Sequence, residues 1–282
     1  MIKFELSKML QGAKGEMVLS VDLEIKEGEF LALSGVSGSG KTTLLRIVAG
    51  LEKAKGTISV GDEVWQDAAF SLPPQKRKIG YVFQDYALFP NMTVLENLLF
   101  VNKDLLLAER LLELTELRDM KERLPNSLSG GQQQRVSMCR AMMNRPKLLL
   151  MDEPLSALDP KMRTKLQDEI LKLHKEFGTT TIMVSHDPSE MYRLASRVVV
   201  LEEGKIISDG NPKEVLLKTQ GSQKFSFEGE LLDITKVDVI CVAIVSIGQQ
   251  LVEVVVSSQE AENLKIGQKV TVSTKAFAPM IV

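Results

Sequence analysis

Residues 35–42 read Gly35-Val36-Ser37-Gly38-Ser39-Gly40-Lys41-Thr42, directly after a short apolar run at residues 30–34. Two glycines, a lysine and a hydroxyl at this spacing, between a buried strand and the start of a helix, fit the phosphate-cradling P-loop pattern. Glycines let backbone N–H groups turn inward around phosphate oxygens, and a helix N-terminus adds favourable partial charge. Lys41 supplies a point charge for the outer phosphates, the Thr42 hydroxyl suits Mg²⁺, and Thr43 follows as a further candidate contact. A glycine-rich turn with no ligand is the plain alternative, and the strand–helix setting disfavours it. A second cluster closes the apolar run Leu148-Leu149-Leu150-Met151, which delivers Asp152 and Glu153. The C-terminal end of a buried strand is where α/β sheets place ligands. Asp152 is expected to hold Mg²⁺, and Glu153 to act as general base on an attacking water. Solvated acids capping a strand would look the same in isolation; next to a P-loop they do not.

The elements that position these groups follow from periodicity. Residues 2–6 and 18–25 alternate like half-buried strands, and residues 30–34, 148–151 and 180–185 read as buried ones. Residues 42–51 have helical spacing, as do 161–177, and Asp187-Pro188 and Asn211-Pro212 read as helix starts. Strands alternating with helices imply an α/β fold with a mainly parallel sheet. Residues of about 91–145 read as a helical insertion opened by the capping box Thr93-Val94-Leu95-Glu96. Near residue 222 the composition changes, and β-branched runs at 237–245, 251–256 and 269–273 with little helix signal predict a small all-β domain. The expected division is residues 1–222 and 223–282.

The 282-residue length suits two domains. A net charge of -2 offers no global attraction to nucleic acid, so none is expected as a partner. Two cysteines, Cys139 and Cys241, read as buried or half-buried thiols rather than a disulfide or metal site. No stretch reaches the ~18 apolar residues of a membrane span, and the first ten residues alternate without an apolar signal core. The expectation is a cytoplasmic chain, with any membrane pore supplied by other subunits.

Leu128-Ser129-Gly130-Gly131-Gln132 resembles the signature of the ABC ATP-binding cassettes. The family's other motifs follow in its order: Gln84 after an expected strand at 79–83, Asp159 in Ser156-Ala157-Leu158-Asp159, and His186 after the strand at 180–185. The resemblance implies ATP and Mg²⁺ as ligands and a P-loop cassette that hydrolyses ATP. It makes Glu153, His186, Gln84 and Lys41 the catalytic set, with Thr42, Gln84 and Asp152 around the metal. Gly35 to Thr43, together with Ser129, Gly130, Gly131, Gln132 and Asp159, would contact nucleotide. Ser129 and its glycines would close over ATP held by a partner's P-loop, so two cassettes, expected to be identical, sandwich two ATP molecules. His174 reads as structural, and Met138, Met142 and Met143 as core. Members of the family commonly carry an aromatic residue ahead of the P-loop that stacks on adenine; residues 11–18 contain none, leaving Met17 or Val18.

The order cassette then β-domain resembles importer ATPases with a C-terminal oligomer-fold, molybdate-binding-type or TOBE-like domain. The phrases carrying a molybdate-importer likeness are residues 35–51, 74–85 and Leu88-Phe89-Pro90, joined by 264–268 and Thr274-Lys275-Ala276. Lys275 and Ser258 match oxyanion-binding positions of that domain family, while an expected arginine and threonine are replaced by the 224–227 stretch and Val255. The resemblance therefore implies a cassette at the cytoplasmic membrane face, served by integral-membrane permease subunits near residues 84–93 and by an extracytoplasmic solute-binding protein. Molybdate is the expected solute, with tungstate and sulfate as alternatives. An ABC ATPase without a membrane partner would carry long coiled-coil insertions or fused cassettes. An inactive binding module would not keep Lys41, Asp152, Glu153 and His186, and an export cassette would lack the β-domain.

Overall fold

Apolar runs without polar interruption form the centre of a ten-stranded sheet in the computed structural model, which describes residues 1–12, 15–156, 158–217, 224–237, 240–247 and 250–275. The chain divides into two units, Met1–Leu217 and Lys218–Val282. The boundary expected at 222/223 falls within residues 218–223, outside the described residues.

In the first unit the order is β1 (Ile2–Gly12), β2 (Gly15–Ile25), β3 (Phe30–Ser34), α1 (Lys41–Val48), β4 (Lys55–Val60), β5 (Glu63–Gln66) and β6 (Ile79–Val82). Then come α2 (Val94–Val101), α3 (Leu105–Leu114), α4 (Gly130–Met142), β7 (Leu148–Asp152), α5 (Pro160–Phe177) and β8 (Thr180–Val184). The unit closes with α6 (Pro188–Leu194), β9 (Arg197–Glu202), β10 (Lys205–Gly210) and α7 (Pro212–Leu216). Strand order is β5-β4-β1-β2-β10-β9-β3-β8-β7-β6. The run β9-β3-β8-β7-β6 is parallel, as expected. The arm β5-β4-β1-β2 is antiparallel, so the sheet is mixed rather than mainly parallel. The reason is local. β1 and β2 alternate over eleven residues each and pair along their whole length, from Ile2↔Ile25 to Gly12↔Gly15, which a short connection allows only in antiparallel sense.

Strand parity divides the core. Leu148, Leu150, Ile182, Val184, Leu31 and Leu33 face α1. Leu149, Met151, Met183 and Phe30 face the helices α2 to α5. Both faces are covered, which is why these strands read as continuous apolar runs. The same parity carries Asp152 to the α1 side of β7. Helix α2 starts with the expected capping box, Thr93 accepting from the Glu96 N–H while Glu96 accepts from that of Thr93. Cys139 and Cys241 are free and buried, as read. No helix among the described residues is long and apolar enough to cross a membrane.

The second unit is a four-stranded antiparallel sheet in the order β13-β12-β11-β14, with β11 Lys224–Val237, β12 Ile240–Ile247, β13 Gln250–Val256 and β14 Lys269–Lys275. β11 changes partner at Glu230, pairing β14 before it and β12 after it, with a register shift between Leu231 and Asp233. Leu231, Ala243 and Val245 are its buried centre. Two expectations are corrected. The run 237–245 is divided, Val237 ending β11 and Ile240 opening β12, and a short helix, α8 (Ser258–Glu262), lies where little helix was expected. Its capping box, Ser257 with Glu260, is the signal that β-branched composition obscured. Val255 is exposed on β13. Ala276 and the side chains of Ser258 and Lys275 lie outside the described residues.

Candidate functional site

The P-loop geometry begins with two glycines that no other residue replaces. Gly35 leaves β3 at φ 142, and a Cβ there would lie 2.0 Å from the Leu201 carbonyl oxygen of β9. Gly40 stands before α1 in the left-handed region at φ 100, where a Cβ would meet the Leu19 side chain at 3.1 Å. Between them the loop wraps the Lys41 ammonium, which donates to the carbonyls of Gly35 at 2.7 Å and Val36 at 2.9 Å and approaches Ser39 Oγ at 3.5 Å. Burial lowers the Lys41 pKa from its ordinary value, while the charges of Glu153 and Asp152 draw it back up.

A cavity of about 370 Å³ adjoins this loop, lined by Gly35, Ser37, Gly38, Gly40, Lys41, Thr42 and Thr43 and by Glu153 and His186. Residues 118 positions apart in sequence, Gly35 and Glu153, thus share one wall system because β3 and β7 both end beside α1. Leu10, Gln11 and Met17 of the β1–β2 hairpin complete the lining, with no aromatic ring among them. Of Met17 and Val18, it is Met17 that reaches this cavity.

Thr42 donates its hydroxyl proton to Asp152 Oδ1 at 3.0 Å, and the Tyr81 phenol donates to Oδ2 at 3.4 Å. Burial pushes the Asp152 pKa upward; the Thr42 hydrogen bond lowers it, the Glu153 charge raises it and the Tyr81 hydrogen bond lowers it. Tyr81 is itself raised above the ordinary phenol range by burial and by the Asp152 charge, so it remains a donor. Among the described residues no group of three or more His, Cys, Asp or Glu is arranged to hold a metal. Two hard oxygens stand together instead, that of Thr42, which lines the cavity, and that of Asp152, to which Thr42 hydrogen-bonds. That donor set fits Mg²⁺, which keeps several waters and binds through one or two protein oxygens plus substrate phosphates.

Glu153 sits at φ 46, a left-handed backbone that a non-glycine residue adopts at a cost of about 1 kcal/mol or more. Its carbonyl accepts from the Ser156 hydroxyl at 3.0 Å and the Ser156 N–H at 3.3 Å, which holds the turn. His186 Nδ1 is 3.8 Å from Glu153 Oε2, and the imidazole is 67% exposed. The loop carrying His186 is fastened from behind. Ser185 donates to Glu190 at 2.7 Å, Asp187 caps α6, and Arg163 of α5 reaches both Asp187 at 3.1 Å and Glu190 at 3.4 Å.

The remaining candidates stand outside this lining. Gln84 is exposed in the turn after β6. Asp159 caps α5, its carboxylate accepting from the N–H groups of Lys161 and Met162 at 3.0 Å each. Ala157 of that motif lies outside the described residues. Ser129, Gly130, Gly131 and Gln132 open α4, with Ser129 and Gln132 forming a reciprocal cap. A Cβ on the buried Gly131 would lie 2.7 Å from the terminal methyl of Met162 of α5, which would have to move aside. One turn on, Arg135 pairs with the buried Glu169 of α5 at 3.3 Å and donates to the carbonyls of Gly131 and Thr115. Burial raises the Glu169 carboxyl to about 7, against the opposing pull of Arg135. Sequence reasoning missed Tyr81, Arg163, Glu169 and Glu190. Only the capping position of Glu190 carried a local signal.

A model of the ABC transporter family matches residues 18–156. The spermidine/putrescine import ATP-binding protein PotA of Bacillus cereus is 46% identical over 219 residues, 74% of this chain and 66% of that protein. The Fe(3+) ions import ATP-binding protein FbpC 2 of Rhizobium meliloti is 48% identical over 207 residues, 70% of this chain and 51% of that protein. The chain thus spans just under two thirds, or less, of the length of these curated relatives. Among solved structures, the dimeric ATP-binding cassette MJ0796 bound to ADP and Pi superposes with a TM-score of 0.64 at 32% identity, covering 75% of this chain and 99% of that one.

Proposed function

The chain belongs to the ABC transporter family, whose ATP-binding cassettes are ATPases, and on that premise we propose that it binds and hydrolyses MgATP as the energising subunit of an importer. The observation that carries this reading is the single cavity in which the phosphate-cradling loop and the pair Glu153–His186 face each other.

Each residue then has a role its position allows. The loop N–H groups and the α1 N-terminus take the phosphates, and Lys41 turns its ammonium from the Gly35 and Val36 carbonyls to the outer oxygens. Thr42 and Asp152 would hold Mg²⁺, which would supply positive charge to offset charge developing on the transferred phosphate. Glu153 accepts a proton from the attacking water, and exposed His186, beside it, donates toward the γ-phosphate. Gln84, exposed at the turn after the strand carrying Tyr81, would reach the attacking water and the metal once nucleotide is bound. Ser129 to Gln132 supply a second anion-binding helix start, which serves a partner cassette's nucleotide. Asp159 contributes from the start of α5. We infer a pair of identical cassettes seated peripherally against permease subunits at the cytoplasmic membrane face, fed by an extracytoplasmic solute-binding protein. The dimeric state of the MJ0796 cassette supports the pairing.

The relatives named for polyamine and ferric-ion import support import as the direction of transport. They lend nothing to molybdate; that solute, with tungstate and sulfate behind it, rests on the sequence phrases alone. The antiparallel sheet of the second unit supports a TOBE-like domain, and exposed Val255 offers no hydrogen bond to an oxyanion. Lys41→Ala tests the ATPase reading: nucleotide affinity measured by calorimetry should fall at least tenfold, and unchanged affinity would overturn it. The cargo is the solute, among molybdate, tungstate, sulfate, spermidine and ferric ion, that stimulates ATP turnover by the chain assembled with its permease and binding protein.

A further inference from the structure

β6 lies at one edge of the sheet and, among the described residues, pairs only with β7, Tyr81 lying opposite Leu150, two residues before Asp152. By parity Tyr81 packs on the α1 side, the side to which Asp152 also points. The carboxylate is therefore held at both oxygens, by Thr42 on Oδ1 at 3.0 Å and by the phenol on Oδ2 at 3.4 Å. The Tyr81 ring stacks on Phe83 with centroids 4.2 Å apart and planes 29° from parallel, and Phe83 is followed directly by Gln84.

We propose that Tyr81 is a positioning residue for the metal-binding carboxylate: its phenol fixes Asp152 Oδ2, leaves Oδ1 presented beside Thr42, and ties that carboxylate to the strand leading into the Gln84 turn. The proposal rests on the ATPase reading above. A carboxylate donor pinned at one oxygen loses less rotational freedom when the other takes a cation, so removing the phenol weakens metal binding without touching phosphate contacts. A displacement at Gln84 can reach Asp152 through one ring stack and one hydrogen bond, beside the ladder pairing of Val82 with Met151.

The test is Tyr81→Phe, which keeps the ring and its stack on Phe83 and deletes only the hydroxyl. Mn²⁺, a paramagnetic substitute for Mg²⁺, is titrated into the full chain with ATP and followed by electron paramagnetic resonance. Because 3.4 Å is a long contact, Mn²⁺ affinity should fall roughly 3- to 10-fold, while ATP affinity in EDTA and the thermal midpoint without ligand stay unchanged. The Mg²⁺ concentration for half-maximal turnover should rise by the same factor, with kcat recovered at saturating Mg²⁺. Mn²⁺ affinity within twofold of the parent chain overturns the proposal, as does a loss of midpoint and EDTA-state ATP affinity with no separate effect on metal. Should Tyr81→Phe not fold, Tyr81→Met also deletes the hydroxyl but gives up the stack on Phe83, and the same loss of Mn²⁺ affinity with ATP affinity in EDTA kept is expected. If the parent chain binds no ATP at all, the ATPase reading falls and this proposal with it, an outcome distinct from equal binding by parent and variant.

Discussion

Arg77 is not part of the cavity lining and is 2% exposed, yet among the described residues no carboxylate pairs with it. Its guanidinium donates to the carbonyls of Leu72 at 2.9 Å, Ile47 at 3.0 Å and Val48 at 2.6 Å, and to Ser71 Oγ at 3.3 Å. Ile47 and Val48 form the last turn of α1, where helix carbonyls have no intrahelical partner and the dipole favours a cation. Consider Arg77→Met, which keeps the apolar stem beneath Trp65, 5.9 Å from the guanidinium carbon. The Ile47 oxygen keeps the N–H of Gly50 at 2.9 Å, so Val48 and Leu72 are the carbonyls left bare. The buried Val48 carbonyl left unpaired costs about 1–3 kcal/mol, the half-buried Leu72 carbonyl about 1 kcal/mol, and the lost dipole interaction adds about 0.3–1 kcal/mol. Release of the guanidinium's own desolvation offsets part of this. A net loss of about 3 kcal/mol follows, with Arg77→Lys intermediate because one ammonium reaches fewer acceptors. Urea unfolding of the first unit, followed by Trp65 fluorescence, measures it; nucleotide affinity should fall in parallel, since α1 carries Lys41 and Thr42. A loss below about 1 kcal/mol, or unchanged ATP affinity in a destabilised variant, would refute the view that Arg77 fastens the phosphate-binding helix.

Three further outcomes are expected. Glu153→Gln should bind ATP as the parent does while turnover drops about 10²–10⁴-fold and an ATP-bound dimer accumulates in size-exclusion chromatography; normal turnover removes Glu153 as base. Ser129→Arg, at an exposed helix start, should cost about 1 kcal/mol as a lost cap and leave nucleotide binding by the monomer intact, but abolish that dimer in the Glu153→Gln background. Persistence of the dimer would remove the composite site. Glu169 has its folded pKa raised to about 7, so its protonated form is favoured in the folded state. Its contribution is complete below the ordinary carboxyl range and is lost as pH rises through about 7. Thermal midpoints should therefore decline across that window, and Glu169→Gln should flatten the decline; an equal slope in the variant would exclude Glu169 as its source.

What could be read from the sequence was chemistry set by local spacing. The P-loop, Asp152–Glu153 and the caps at Thr93, Asp187 and Asn211 depend on residues within a few positions of one another, and each sits where expected. What escaped depends on partners brought together by the fold. Tyr81 meets Asp152 across 71 positions, Arg77 meets Ile47 across 30 and Arg163 meets Asp187 across 24. No periodicity announces such contacts. The antiparallel arm escaped for another reason: alternation identifies a strand facing a core and is silent on the direction of its neighbour. The cavity's lining by Leu10 likewise follows from an eleven-residue hairpin strand whose full length the alternation at residues 2–6 did not reveal.

The resting place of the Lys41 ammonium, on the carbonyls of Gly35 and Val36, amounts to a threshold for anions. Any anion that takes the lysine must outbid two charge-assisted hydrogen bonds made by the loop to its own side chain. A lone phosphate or sulfate offers little more than an even exchange. A triphosphate recruits the loop N–H groups and the start of α1 at the same moment, and so exceeds the threshold through several contacts that no small anion makes together. Rejection of abundant small anions thus needs no steric gate, because the loop competes with them for its own lysine.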